Sequence, residues 1–148
     1  MEPVHFSFRK VMTSSDQIDV VGLGQCSLDI LGQVGQYPDL DQKAELSSLL
    51  VQGGGPVATA LVTLARLGIS VAMVGAAGAD DFGRQIRDGL IAESVDCSFL
   101  TQNTGDSSQV AFVAVDAQGH RNIFWHRGNA VPDSADLSEL LRASAGKV

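Results

Sequence analysis

Residues 53–68 read GGGPVATALVTLARLG: three glycines, a proline, and then apolar residues at helical spacing up to a closing glycine. Pro56 suits the first helical position, where a missing N–H costs nothing, and Gly68 suits the left-handed residue that ends a helix. Between them Val57, Ala60, Leu61, Leu64 and Leu67 recur with helical period, whereas Thr59, Thr63 and Arg66 fall elsewhere. The spacing therefore predicts a helix with one face laid on a core. Gly53, Gly54 and Gly55 leave the main chain open to a ligand, and the unpaired N–H groups of the first turn favour an anionic or hydroxyl-rich one. The same glycines would equally serve only to turn the chain, and both readings stand on local sequence.

On either side lie short apolar runs rich in β-branched residues, 18–23 (IDVVGL) and 69–74 (ISVAMV). Such runs fit strands buried on both faces of a parallel sheet. Strand, loop, helix and strand in this order make a parallel crossover, which is right-handed in nearly all proteins. Residues 24–34 carry Asp29 between Leu28 and Ile30. That puts a carboxylate just beyond the first strand's carboxyl end, where open α/β sheets bind ligands; a solvated turn carboxylate is the alternative.

Residues 35–43 (GQYPDLDQK) form a turn-rich loop, and Leu46, Leu49, Leu50 and Val51 mark residues 44–52 as an arm whose pattern does not separate helix from strand. In 75–83 (GAAGADDFG), Asp80 or Asp81 stands where a carboxylate would cap a helix carrying Phe82, Ile86 and Leu90 on one face. Capping accounts for both residues without a metal. Residues 96–100 close this unit as a third strand. Two further runs, 110–115 and 121–125, flank Asp116-Ala-Gln-Gly119 as a β-hairpin, adding an antiparallel element to a parallel one. From Pro132, the residues Leu137, Leu140 and Leu141 predict another helix, while residues 1–17 read as a loose lead-in.

The 148 residues suit one compact domain, and 45% hydrophobic content suits a globular one. A net charge of -7 leaves no basic stripe for a nucleic acid, and no apolar run is long enough to span a bilayer or form a signal peptide. A cytoplasmic protein is expected, with Cys26 and Cys97 as reduced, buried thiols. Gly22-Leu-Gly24 lacks the third glycine of a dinucleotide fingerprint, having Ser27 there, and the one Gly-Lys pair, Gly146-Lys147, cannot build a phosphate loop. His5, His120 and His126 have no metal spacing, and no serine elbow is present.

The order of these features resembles the N-terminal half of the ribokinase-like (PfkB) carbohydrate kinases. It rests on IDVVGLG, the aspartate of GQCSLD, GGGPVATALVTLARLG, VGAAGADDFG and SSQVAFVAVDAQGHRNIFWHRGNA, and covers residues from about 18 to 131. The glycine-loop helix followed by Gly78-x-Asp80-x-x-Gly83 is more specific than either half. The resemblance implies a three-layer α/β/α, Rossmann-like parallel sheet, truncated here, with a small antiparallel β lid from segments near 28–52 and 108–127. It implies an ATP-dependent sugar kinase whose substrate, a sugar or related polyol, meets Asp29, Gly53, Gly54, Gly55, Ala58, Ala111 and Arg127.

Ala58 stands where the family usually carries an asparagine. By the same resemblance, the catalytic base, the anion hole and the residues for ATP and Mg2+ would lie beyond Val148, so the chain alone is expected to be inactive. A non-catalytic sugar-binding or dimerisation module is the rival, and an α/β domain without a ligand a third. The arms at 44–52 and 109–127 are expected in one small sheet that closes over the sugar or pairs in a homodimer. Phe112, Phe124 and Trp125 would supply its contact area.

Overall fold

The computed structural model describes residues 18–132 and residue 138. The helix expected from Pro132 onward and the lead-in at 1–17 lie outside the described residues. Three strands, β1 (Val20–Leu23), β4 (Val71–Gly78) and β5 (Val95–Asn103), form a parallel sheet in the order β1-β4-β5. Helix α1 (Pro56–Arg66) precedes β4 and α2 (Asp81–Ala92) follows it. The two helices lie side by side, joined by a bidentate pair between Arg66 and Glu93 with N···O distances of 2.7 and 2.5 Å.

Helix α1 begins at Pro56 as expected. Its end is a Schellman turn in which Gly68, at φ 85°, donates to Ala65 and Ile69 donates to Leu64. The buried face differs in part from the periodic expectation. Ala58 and Leu61 are buried, with Val57, Val62, Leu64 and Ala65 packed beside them, while Ala60 and Leu67 face outward. The helix lies on β4, β1 and β3 (Leu46–Gly54), and the face that meets these strands carries Ala58 and Leu61. In α2, Ile86 and Leu90 are buried as expected, and Phe82 at the entry remains exposed. Central strand β4 holds Ala72, Met73 and Val74 fully buried, as a strand covered on both faces should be. It continues past Gly75 to Gly78, beyond the apolar run that predicted it. Gly75, Ala76, Ala77 and Gly78 are held there by pairing with Leu100 to Asn103 of β5, not by their own propensity.

The second sheet has four strands in the order β3-β2-β6-β7: β2 (Ser27–Val34), β3 (Leu46–Gly54), β6 (Val110–Val115) and β7 (Arg121–His126). The hairpin β6–β7 falls where the sequence put it, and the arm at 44–52 is a strand in the same sheet. Asp29 follows the end of β1 as expected but lies within a strand, β2, and not in a turn, and one expectation is corrected: Gly53 and Gly54 are not loop residues but the end of β3. The sheet is also mixed: β2 and β6 are parallel, because both start at the α/β body and run away from it, while β3 and β7 return.

Tyr37, in the loop between β2 and β3, ties that loop to the hairpin. Its hydroxyl donates to the carbonyls of Ala114 (2.7 Å) and His120 (3.0 Å) and accepts from the Asn122 amide (3.1 Å). Phe112 and Phe124 pair across β6 and β7 with ring centroids 6.4 Å apart. Trp125 lies on the opposite face, so the three aromatic residues expected to act together are divided between two surfaces.

Candidate functional site

Strand alternation decides which groups meet at Asp29. Opposite it across β3 is Gln52, across β6 is Ala111, and one strand further Trp125, so these four share one rung and one face. Ser27, two residues earlier in β2, is on the same face. Its hydroxyl donates to Asp29 Oδ1 at 2.8 Å, which leaves Oδ2 as an acceptor. Ser27 pairs with Gly54, and the Asp29 carboxylate lies directly against the Gly54 main chain: a Cβ built there would collide with Cγ, Oδ1 and Oδ2. Asp29 itself is half-buried, open enough to meet a solute.

Of the residues the sequence singled out, Asp29, Gly54 and Ala111 come together, and Ala111 is buried between Asp29 and Trp125. Gly53 is exposed, with nothing near the position of an added Cβ. Gly55 makes the turn from β3 into α1 at φ 92°, where a Cβ would press on the Gln25 carbonyl at 2.7 Å. Ala58 is nearly buried, with its remaining surface lining a cavity between α1 and α2, and the next residue, Thr59, is exposed. Arg127 is exposed on the segment after β7. The first-turn amides of α1 are less available than expected, since Pro56 has none and the Ala58 amide donates to Gln25 at 3.3 Å. Sequence reasoning missed Ser27, Gln52 and Thr59. The signal for Ser27 was its place two residues before Asp29, which carries meaning only once residues 27–34 are recognised as a strand.

A cavity of about 430 Å³ lies between α1 and α2 beside the end of β3, lined by Ser27, Gly54, Thr59, Thr63, Arg66 and Glu93 among others. It borders the Asp29–Gly54 contact through Ser27 and does not enclose Asp29. Its charged pair is already mutually satisfied, since Arg66 holds the Glu93 carboxyl below its ordinary range. Burial pushes the Cys26 and Cys97 thiols up to about 11, which suits inert packing side chains. Among the described residues no group of three His, Cys, Asp or Glu could hold a metal ion.

The Gly78-x-Asp80-x-x-Gly83 motif is resolved as a junction. Asp80 caps α2 by accepting from the Gly83 amide at 2.7 Å, and it also accepts from the amide and hydroxyl of Ser108 at 2.9 and 2.6 Å. Burial alone would raise the Asp80 carboxyl, but the bonds from Ser108 and Gly83 together bring it below its ordinary value.

The family model described as pfkB family carbohydrate kinase matches residues 17–147. Fructokinase-1 of Zea mays is 31% identical over 118 residues, which are 80% of this chain and 34% of that protein. The solved fructokinase of Halothermothrix orenii superposes with a TM-score of 0.64 at 27% identity, covering 75% of this chain and 38% of that one. Ribokinase of Arabidopsis thaliana, solved with ribose and ATP, superposes with a TM-score of 0.65 at 21% identity over 73% of this chain and 35% of its own. The fold is therefore ribokinase-like, and the chain spans about a third of the length of the relatives it matches. On the match across nearly its whole length, this chain belongs to the pfkB family of carbohydrate kinases.

Proposed function

We propose that this chain is the substrate-binding and lid part of an ATP-dependent sugar kinase, which transfers phosphate to a sugar hydroxyl. The observation that carries the reading is the Asp29 carboxylate set against the Gly54 main chain, with Ser27 fixing one oxygen and leaving the other to accept. A carboxylate so placed takes hydroxyl hydrogen bonds that are roughly twice as strong as neutral ones. Glycine at position 54 is what allows the carboxylate to lie there. Gly53 leaves the main chain open beside it, and Thr59 supplies a hydroxyl next to the nearly buried Ala58. Names among the relatives, fructokinase and ribokinase, point to a small sugar as substrate.

ATP with Mg2+ supplies the phosphoryl group in such chemistry. The described residues offer neither a phosphate loop nor a cluster of metal ligands, so they do not fit that group and no transfer step is assigned to them. The chain by itself is accordingly expected to bind sugar without phosphorylating it. Its four-stranded sheet serves as the lid, and the face bearing Phe124 is the surface available for a second copy. The acidic surface and the buried, reduced thiols accord with a cytoplasmic small-molecule enzyme without a nucleic-acid or membrane partner. Isothermal titration of D-fructose and D-ribose tests the reading. The chain should bind at least one of them, and Asp29→Asn should lose about tenfold or more in affinity. Equal binding by the variant would contradict it.

A further inference from the structure

We propose that Asp80 is a positioning residue for the Asp29 carboxylate, acting through the foot of the β6–β7 hairpin; this rests on reading Asp29 as the sugar ligand. An N-cap needs one hydrogen bond, and Asp80 makes that bond to Gly83. It makes two more to Ser108, whose hydroxyl accepts from the Gly78 amide at 2.9 Å. Ser108 is 1% exposed. The end of β4, the start of α2 and the entry to the hairpin thus converge on one carboxylate. Gly83 makes the convergence possible, because a Cβ there would strike the Gly78 carbonyl and the Ser108 hydroxyl.

The connection to Asp29 is short. The Gln109 carbonyl, one residue after Ser108, accepts from the Leu28 amide at 3.0 Å, and β6 then runs beside β2 with Ala111 opposite Asp29. The hairpin's exit is tied to the same loop: Asn129 Oδ1 accepts from the Ser107 amide and hydroxyl at 2.6 and 2.8 Å. Both feet of the hairpin therefore stand on residues 107 and 108, which Asp80 fastens to the α/β body. Releasing that fastening lets β6, and with it β2, shift relative to Gly54 and α1. Hydrogen bonds to a ligand weaken steeply once their geometry is lost.

Two variants separate this role from capping. Asp80→Asn keeps Oδ1 as the acceptor for Gly83 and for the Ser108 hydroxyl, and asparagine caps as well as aspartate, but its NH2 group, in place of Oδ2, cannot accept from the Ser108 amide. Ser108→Ala removes the other bond, from the hydroxyl to Oδ1, together with the acceptor of the Gly78 amide, and leaves the cap intact. Titration of D-fructose and D-ribose, followed by emission of the single tryptophan, Trp125, reads both. Each variant should weaken sugar affinity about tenfold, and the double variant, which breaks both bonds between Asp80 and Ser108, should be weaker than either single one. Wild-type affinity in both single variants would overturn the proposal. If the wild-type chain answers to neither sugar, the Asp29 reading has failed, and amide hydrogen exchange of the free chain decides the positioning role. Residues 110–115 should then exchange about tenfold faster in both variants while residues 84–92 stay unchanged, and equal exchange at 110–115 would overturn it.

Discussion

The Asp29 carboxylate occupies the space into which a side chain at Gly54 would project. The obstructing atoms are the end of a short side chain and not backbone, so the site can yield by rotating Asp29. Gly54→Ala should consequently cost only about 1 kcal/mol in stability while removing the Ser27–Asp29 hydrogen bond and most sugar affinity. Gly53→Ala meets nothing within 4 Å and should leave stability within about 0.5 kcal/mol, lowering affinity only by keeping the sugar from the main chain. Urea unfolding and sugar titration of the two variants check this contrast.

Acid should act through Asp80. Its folded-state carboxyl lies below the ordinary value, so its contribution is fully present above the unfolded value of about 3.9 and is lost as pH falls through the lower folded value. Asp116, where burial is outweighed by bonds from His120 and Gln118, shifts in the same direction. The urea midpoint should hold steady from about pH 7 to pH 5 and drop below about pH 4. Asp80→Asn should start from a lower midpoint and lose less of it on acidification.

Both thiols should resist modification in the folded chain. Burial raises Cys26 and Cys97 to about 11, which leaves under about 1% thiolate at pH 8. Treatment with a disulfide reagent at pH 8 should label neither cysteine within minutes, and both at once in denaturant.

The two faces of the four-stranded sheet should separate by mutation. Phe124, 68% exposed and paired with Phe112, lies opposite the Asp29 face, whereas Trp125 shares the Asp29 rung. Phe124→Ser should weaken any self-association seen by sedimentation and leave sugar affinity unchanged. Trp125→Ser should do the reverse, with helical content preserved in both.

Much of this architecture was legible where local chemistry and packing agree. Pro56 and Gly68 marked the ends of α1 closely, the turn at 116–119 placed the hairpin, and Asp80 proved the cap. The misreadings fall where a distant partner decides the structure. Residues 75–78 are too small to announce a strand and become one by pairing with β5. Gly53 and Gly54 looked like a loop, and β2 supplies the partner that makes them strand. Ala60 was assigned to the core and faces out, because the strands meet α1 on the side of Ala58 and Leu61. Asp29 could be singled out from the sequence, but its neighbours Ser27 and Gln52 depend on a register that no local pattern encodes.

Amide chemical-shift mapping during titration with D-fructose and D-ribose is the most direct test that the Asp29 face binds sugar. The largest shifts should fall on Ser27, Asp29, Gly54 and Ala111 and on the Trp125 indole, and should vanish in Asp29→Asn. Shifts confined instead to Thr63, Arg66 and Glu93, in the cavity between the helices, or no shifts with either sugar, would contradict the account.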